Sequence, residues 1–276
     1  MNKIPSSVYS YLSSIQRIQF FPNYYLIKTG DGIYYYSSTS YDKETYDYLK
    51  KIQFFDYYYP INKEDEFQLF RLDSDHKLDS LTLLRNLYSK SFQMIEIDSS
   101  FKNKIYQKLF MVGNQTLQFY YGLQDQIEEM YYPRKNYYQL ILHISKIYKM
   151  IYLGHFFLQK YLSIEINSTR EVLTVGRIYS NNFIGGKIID FSSSKRDIFI
   201  FELANYYREH FKEESILFEI EDFQNKFSMT EFENTLFYAL ISIPWILEDE
   251  EEIDLLLHYV EKTSSFLLEK YKEYEE

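Results

Sequence analysis

A chain of 276 residues with 46% hydrophobic and 25% charged side chains can build a substantial core, which excludes a disordered polypeptide. It contains no cysteine, so disulfide scaffolds, thiolate metal sites and cysteine nucleophiles are excluded as well. Its formal charge of −10 argues against a nucleic-acid partner, which calls for a basic face.

The first residues, MNKIPSSVYSYLSSIQRI, lack the continuous apolar run of a signal peptide. From Tyr24 to Leu72 the pattern is β-rich. YYLIKT (Tyr24 to Thr29) and IYYYSS (from Ile33) flank Gly30-Asp31-Gly32, which predicts a hairpin. A short helix follows, with Asp42, Glu44 and Asp47 on one side and Tyr41, Tyr48, Leu49 and Ile52 on the other. EFQLFRL (Glu66 to Leu72) reads as a further strand.

From Leu78 onward helical spacing dominates. Leu81, Leu84, Leu87 and Tyr88 mark one helix, and Phe101 to Met111 and Leu123 to Met130 are expected as two more. Tyr137 to Tyr161 is a long amphipathic helix. The apolar region Leu140 to Leu162 holds Lys146, Lys149, His155 and Lys160, so no membrane span is expected and the cytoplasm is the expected location. Ser228-Met229-Thr230-Glu231 has a capping-box pattern, and Pro244 ends the helix that it starts. The acidic run Leu247 to Asp254 reads as a solvated face.

Within the helical half, residues 172–194 stand out: VLTVGRIYSNNFIGGKIIDFSSS. A strand, a polar loop, a Gly-Gly turn and a second strand lead to Asp190, eight residues after Asn182. An amide and a carboxylate are hard oxygen ligands that suit Mg²⁺. The competing reading has Asn182 capping the loop and Asp190 paired with Arg177 or with backbone N–H groups. The histidines (His76, His143, His155, His210, His258) show no metal-ligand spacing. Ser192 to Ser194 lacks the context of a nucleophile and reads as a polar loop. The 31 tyrosines and 23 phenylalanines fit compositional drift of the genome better than a functional surface.

The order of elements, with the motifs Val175-Gly176-Arg177, Asn182, Ile189-Asp190-Phe191 and Glu202-Leu203-Ala204, resembles the protein-kinase-like fold. The closer resemblance is to its aminoglycoside phosphotransferase and choline kinase branch, including the spore-coat kinase-like proteins of Gram-positive bacteria. That resemblance implies an α+β, bilobal fold: a small β-rich N-terminal lobe (residues 1–75) and a larger, mainly helical lobe (76–276) carrying the degenerate catalytic hairpin at 172–194. In active members a His-Gly-Asp loop supplies the base, an Asn five residues later and an Asp in Ile-Asp-Phe or Ile-Asp-Trp hold the metal, and a strand lysine holds phosphates. Here Val175 replaces the histidine, and Arg177 stands where the aspartate would be. Tyr36 or Ser37 falls at the lysine, and no G-x-G-x-x-G loop is present.

The resemblance therefore implies a pseudokinase that works by binding or as a structural component, spore-associated, with an unidentified protein partner. No cofactor is expected, except Mg-ATP if residual binding through Asn182 and Asp190 persists. The alternatives are a divergent ATP-dependent small-molecule phosphotransferase and a plain helical interaction module.

Overall fold

The computed structural model describes residues 12, 14–20, 25–37, 43–54, 68–72, 79–176, 178, 182–184, 186–191 and 193–275. The chain forms two compact units, Met1–Phe92 with Leu173–Asp197, and Gln93–Val172 with Ile198–Glu276.

The first unit is built on an antiparallel sheet of β1 (Arg17–Phe20), β2 (Tyr25–Lys28), β3 (Ile33–Ser37) and β4 (Gln68–Leu72), in that order. The register pairs Lys28 with Ile33 and Tyr36 with Leu69. The turn expected at Gly30-Asp31-Gly32 is present. Asp31 accepts the Thr29 hydroxyl at 2.5 Å and the Tyr34 hydroxyl at 2.7 Å, and Thr29 N–H donates to the Gly32 carbonyl. Alternation along the strands sends Ile27 and Tyr36 into a cluster with Leu12, against which Ile15, Ile18, Tyr25, Tyr34 and Leu69 pack.

Helix α1 (Lys43–Lys51) buries Leu49, and Phe54 is buried just beyond it. Helix α2 (Ser80–Ser91) starts where the Asp79 carboxylate accepts the Thr82 N–H, and it buries Leu81, Leu83, Leu84, Leu87 and Tyr88.

In the second unit β5 (Gln93–Glu96) pairs antiparallel with the first residues of β6 (Ser168–Thr174). The sequence pattern did not disclose β5. Two helices were expected between 101 and 130; the structure has one, α3 (Ser99–Glu128), capped by Asp98. Gly113 lies within it, where a Cβ would be 3.0 Å from His155 Nε2. Helix α4 (Lys135–Ser163) matches the expected long helix. Its last carbonyls are met by the buried Lys102, which donates to Leu162 and Ile164 at 3.0 and 2.5 Å. Burial lowers the Lys102 pKa.

Helices α5 (Phe199–His210), α6 (Ile216–Lys226), α7 (Glu231–Ile241) and α8 (Ile253–Glu275) complete the unit, and α4 packs against α3, α7 and α8. The capping box is displaced from its expected place. Ser228 has φ of +51°, so it ends the turn after α6 and cannot supply the extended backbone of an N-cap. Thr230 and Glu233 form the box instead.

Glu233 is also one half of a buried ion pair. The Arg170 guanidinium grips both carboxylate oxygens, donates to the Phe227 and Ser228 carbonyls, and lies 4.2 Å from the centre of the Phe227 ring. That pairing ties β6 to the start of α7. Among the described residues no helix is long and apolar enough to cross a membrane.

Candidate functional site

The segment from Leu173 to Asp197 holds the residues singled out by the sequence. β6 enters it through Leu173 and Thr174 and is followed by Val175, all buried. The Leu173 N–H donates to Ser91 Oγ at 3.1 Å, and Thr174 Oγ1 donates to the Lys195 carbonyl at 2.9 Å. Ser91, the last residue of α2, also accepts through its carbonyl from Tyr48 and Arg196. The Arg196 guanidinium lies 4.6 Å from the centre of the Tyr48 ring.

Gly176 follows, with φ of +76°. A Cβ there would sit 2.2 Å from the Ser193 carbonyl oxygen, so both the backbone angle and the space require glycine. The loop glycine shared with the resembled motif therefore has a structural reason to be there. Arg177, Tyr179 to Asn181 and Ser192 lie outside the described residues, as does His76.

The chain re-emerges at Asn182, which is 3% exposed. Strands β7 (Phe183–Ile184) and β8 (Lys187–Ile188) form a minimal hairpin, with Phe183 opposite Ile188 and Gly186 at φ of +71° in the turn. Asn182 closes its open end. Its Oδ1 accepts the Asp190 N–H at 2.7 Å, and its Nδ2 donates to the Asp190 carbonyl at 2.9 Å. Its own carbonyl accepts the Ile189 N–H. The side-chain amide thus pairs with Asp190 as one peptide group pairs with another across a ladder.

Asp190 is 9% exposed, between the buried Ile189 and Phe191. Beyond it the Ser194 N–H returns to the Phe191 carbonyl, and Thr45 of α1 and Ser194 share a hydroxyl–hydroxyl hydrogen bond of 3.3 Å. The structure places Asn182 beside Asp190, in contact through the Asp190 backbone. Ser91, Tyr48, Thr45 and Arg196 escaped the sequence reading, because nothing in their spacing links them to the hairpin.

The phosphate-holding side of a nucleotide site is not matched by these residues. β3 reads Ile-Tyr-Tyr-Tyr-Ser and offers no ammonium group, and Tyr36 is packed into the apolar cluster. Lys28 lies on the exposed surface of β2. A Mg²⁺ ion needs few protein oxygens when phosphates complete its shell, so Asn182 and Asp190 are of the right chemical kind. The Asn182 Oδ1 that would ligate it already accepts the Asp190 N–H. Among the described residues no group of three or more His, Asp or Glu side chains is arranged to hold a metal.

A search of solved structures finds an aminoglycoside phosphotransferase from Alicyclobacillus acidocaldarius. It is 11% identical, with 100% of this chain and 97% of that one covered and a TM-score of 0.65. The chain has the aminoglycoside phosphotransferase-like, protein-kinase-like fold. That fold is α+β and bilobal in type, joining a small antiparallel sheet region to a predominantly helical one, as the order of elements led us to expect. The choline kinase LicA from Streptococcus pneumoniae aligns over 95% of both chains at 13% identity; its TM-score of 0.35 is too low to add to the assignment. No family model and no curated protein matches the sequence.

Proposed function

We propose that this chain is a catalytically inactive kinase-like protein that acts by binding. Its small lobe is residues 1–75 and its helical lobe residues 76–276. One observation carries the reading: position 177 is arginine where the resembled family has its catalytic aspartate. A guanidinium, with a pKa above about 12, does not accept a proton at any working pH. Phosphoryl transfer depends on positioned charge and a positioned nucleophile, so losing the base and the strand lysine together removes most of its chemistry. The pairing of the Asn182 amide with the Asp190 backbone supports the reading, since it gives Asn182 a structural reason to persist without a metal. Association with the spore, as a structural component with a protein partner, extends the proposal on the sequence resemblance alone.

The retained Asn182 and Asp190 favour a second reading, a divergent ATP-dependent phosphotransferase acting on a small molecule. A thermal-shift titration with Mg-ATP separates the two. A ligand at 100 times its Kd adds about 2.7 kcal/mol to the folded state. We expect no shift at millimolar Mg-ATP. A shift that disappears in Asp190→Ala would overturn the inactive reading. That variant is informative because Asn182 holds the backbone of Asp190, which alanine retains.

A further inference from the structure

Helix α4 is covered on three sides by α3, α7 and α8. Its remaining side carries Tyr138, Leu142, Ser145, Lys149 and Tyr152, at successive spacings of four, three, four and three residues, which is one helical face. Tyr138 and Leu142 are each 55% exposed and Tyr152 is 52% exposed. Met130, Tyr131 and Tyr132, in the turn before α4, are exposed as well. Tyrosine and methionine gathered in a patch mark an interaction surface rather than a solvated one.

Its two tyrosines are placed evenly about its centre. Tyr138 and Tyr152 lie seven residues either side of Ser145, about 10.5 Å away in each direction at the helical rise. We propose that it is an isologous interface between two copies of this chain, with their α4 helices antiparallel and crossing at Ser145. A two-fold axis there sets Tyr138 of each copy against Tyr152 of the other. The small serine at the crossing lets the helices approach to an ordinary packing distance of about 8–10 Å.

Charge agrees with this arrangement. Helices α3 and α4 are antiparallel neighbours, joined by Tyr148 Oη–Gln124 Oε1 (2.6 Å) and Tyr121 Oη–Tyr152 Oη (3.0 Å) hydrogen bonds. The end of α3 near Glu129 is therefore level with the N-terminal side of Ser145. The axis brings Lys149 of the second copy, about 6 Å past the crossing, toward that exposed carboxylate. Copies with a net charge of −10 repel one another at long range, so a complementary lysine–glutamate pair at the contact favours this register over others.

The absence of cysteine makes the test direct. In Ser145→Cys the only thiol of each copy lies on the axis. At that helix separation the two Cα atoms are about 4–5 Å apart, within disulfide range. Under mild oxidation we expect Ser145→Cys to run as a covalent dimer, and Ser265→Cys, exposed on α8, to stay a monomer. Light scattering of the natural chain should give twice 33.7 kDa. Tyr152→Glu should return it to the monomer mass with an unchanged circular dichroism spectrum. Lys149→Glu should weaken the dimer at least tenfold, and adding Glu129→Lys should restore it. A natural chain that is monomeric at about 100 μM, equal cross-linking by both cysteine variants, or a dimer indifferent to Tyr152→Glu would each overturn the proposal. So would capture of a different protein by a monomeric chain through this face.

Discussion

The side-chain amide of Asn182 pairs with the backbone of Asp190, accepting its N–H at 2.7 Å and donating to its carbonyl at 2.9 Å. Replacing Asn182 with leucine leaves two buried peptide groups without those partners. Each unsatisfied group costs about 1–3 kcal/mol, so we expect a loss of about 2–6 kcal/mol in urea denaturation without any ligand. Asn182→Asp should also destabilise, because a carboxylate cannot donate to the Asp190 carbonyl. Unchanged stability in both variants would show that the pairing is not structural.

Arg170 and Glu233 make a second local prediction. Glu233 is 1% exposed and serves both the ion pair and the α7 capping box. Arg170→Met leaves its carboxylate buried without the guanidinium, at a cost of about 3–5 kcal/mol. Arg170→Lys should recover little, since an ammonium cannot meet two carboxylate oxygens, two carbonyls and the Phe227 ring together. Chemical denaturation of the single variants and of Arg170→Met with Glu233→Leu separates the pair from its parts.

Gly154 tests packing against propensity. Alanine is the better helix former by about 1 kcal/mol, which alone predicts stabilisation in the middle of α4. A Cβ at Gly154, however, would lie 1.9 Å from Ser242 Oγ and 2.9 Å from Ser242 Cβ. We expect Gly154→Ala to destabilise by about 1–3 kcal/mol, the range for overpacked cores. Ser242→Gly in the same chain should relieve most of the clash, as a thermal melt of the double variant would show.

His155 sets an acid-side dependence. Burial lowers its pKa below the ordinary value of 6.5, and its Nε2 faces Gly113 without a hydrogen-bond partner. The unfolded chain therefore binds a proton before the folded one does. The contribution of His155 is complete above pH 6.5 and is lost as pH falls through the depressed folded value. Denaturation between pH 5 and 7, compared with His155→Phe, should show a shallower acid decline in the variant, and parallel curves would refute the assignment.

At the alkaline end, burial raises Tyr148 and Tyr238 to about 12. Their stabilising effect is complete below the ordinary tyrosine value of 10 and is lost as pH rises through those folded values. Absorbance titration of the folded chain should resolve a late group of tyrosines absent in denaturant.

What the sequence disclosed was set by range. The hairpin around Asp31 and the long α4 are encoded by local turn chemistry and by apolar spacing, and both were legible. The single α3 was not, because Gly113 and Gly122 lower helix propensity between the two expected segments. The capping box was placed two residues early, since Ser-x-x-Glu and Thr-x-x-Glu overlap there and the positive φ of Ser228 is a tertiary outcome. In the site, motif spacing brought Asn182 and Asp190 together but said nothing of which atoms meet. Ser91, some 80 residues from Leu173, carried no signal at all.

That serine makes the segment observable. The Leu173 amide rests on the Ser91 hydroxyl, while the Ser91 carbonyl receives Tyr48 and Arg196. One residue thereby joins the end of α2, the side of α1 and both flanks of the 173–197 segment. Deuterium uptake at a single amide, Leu173, becomes a clock for the opening of that junction. If a partner or nucleotide engages the segment, the clock should slow before any change of shape is visible.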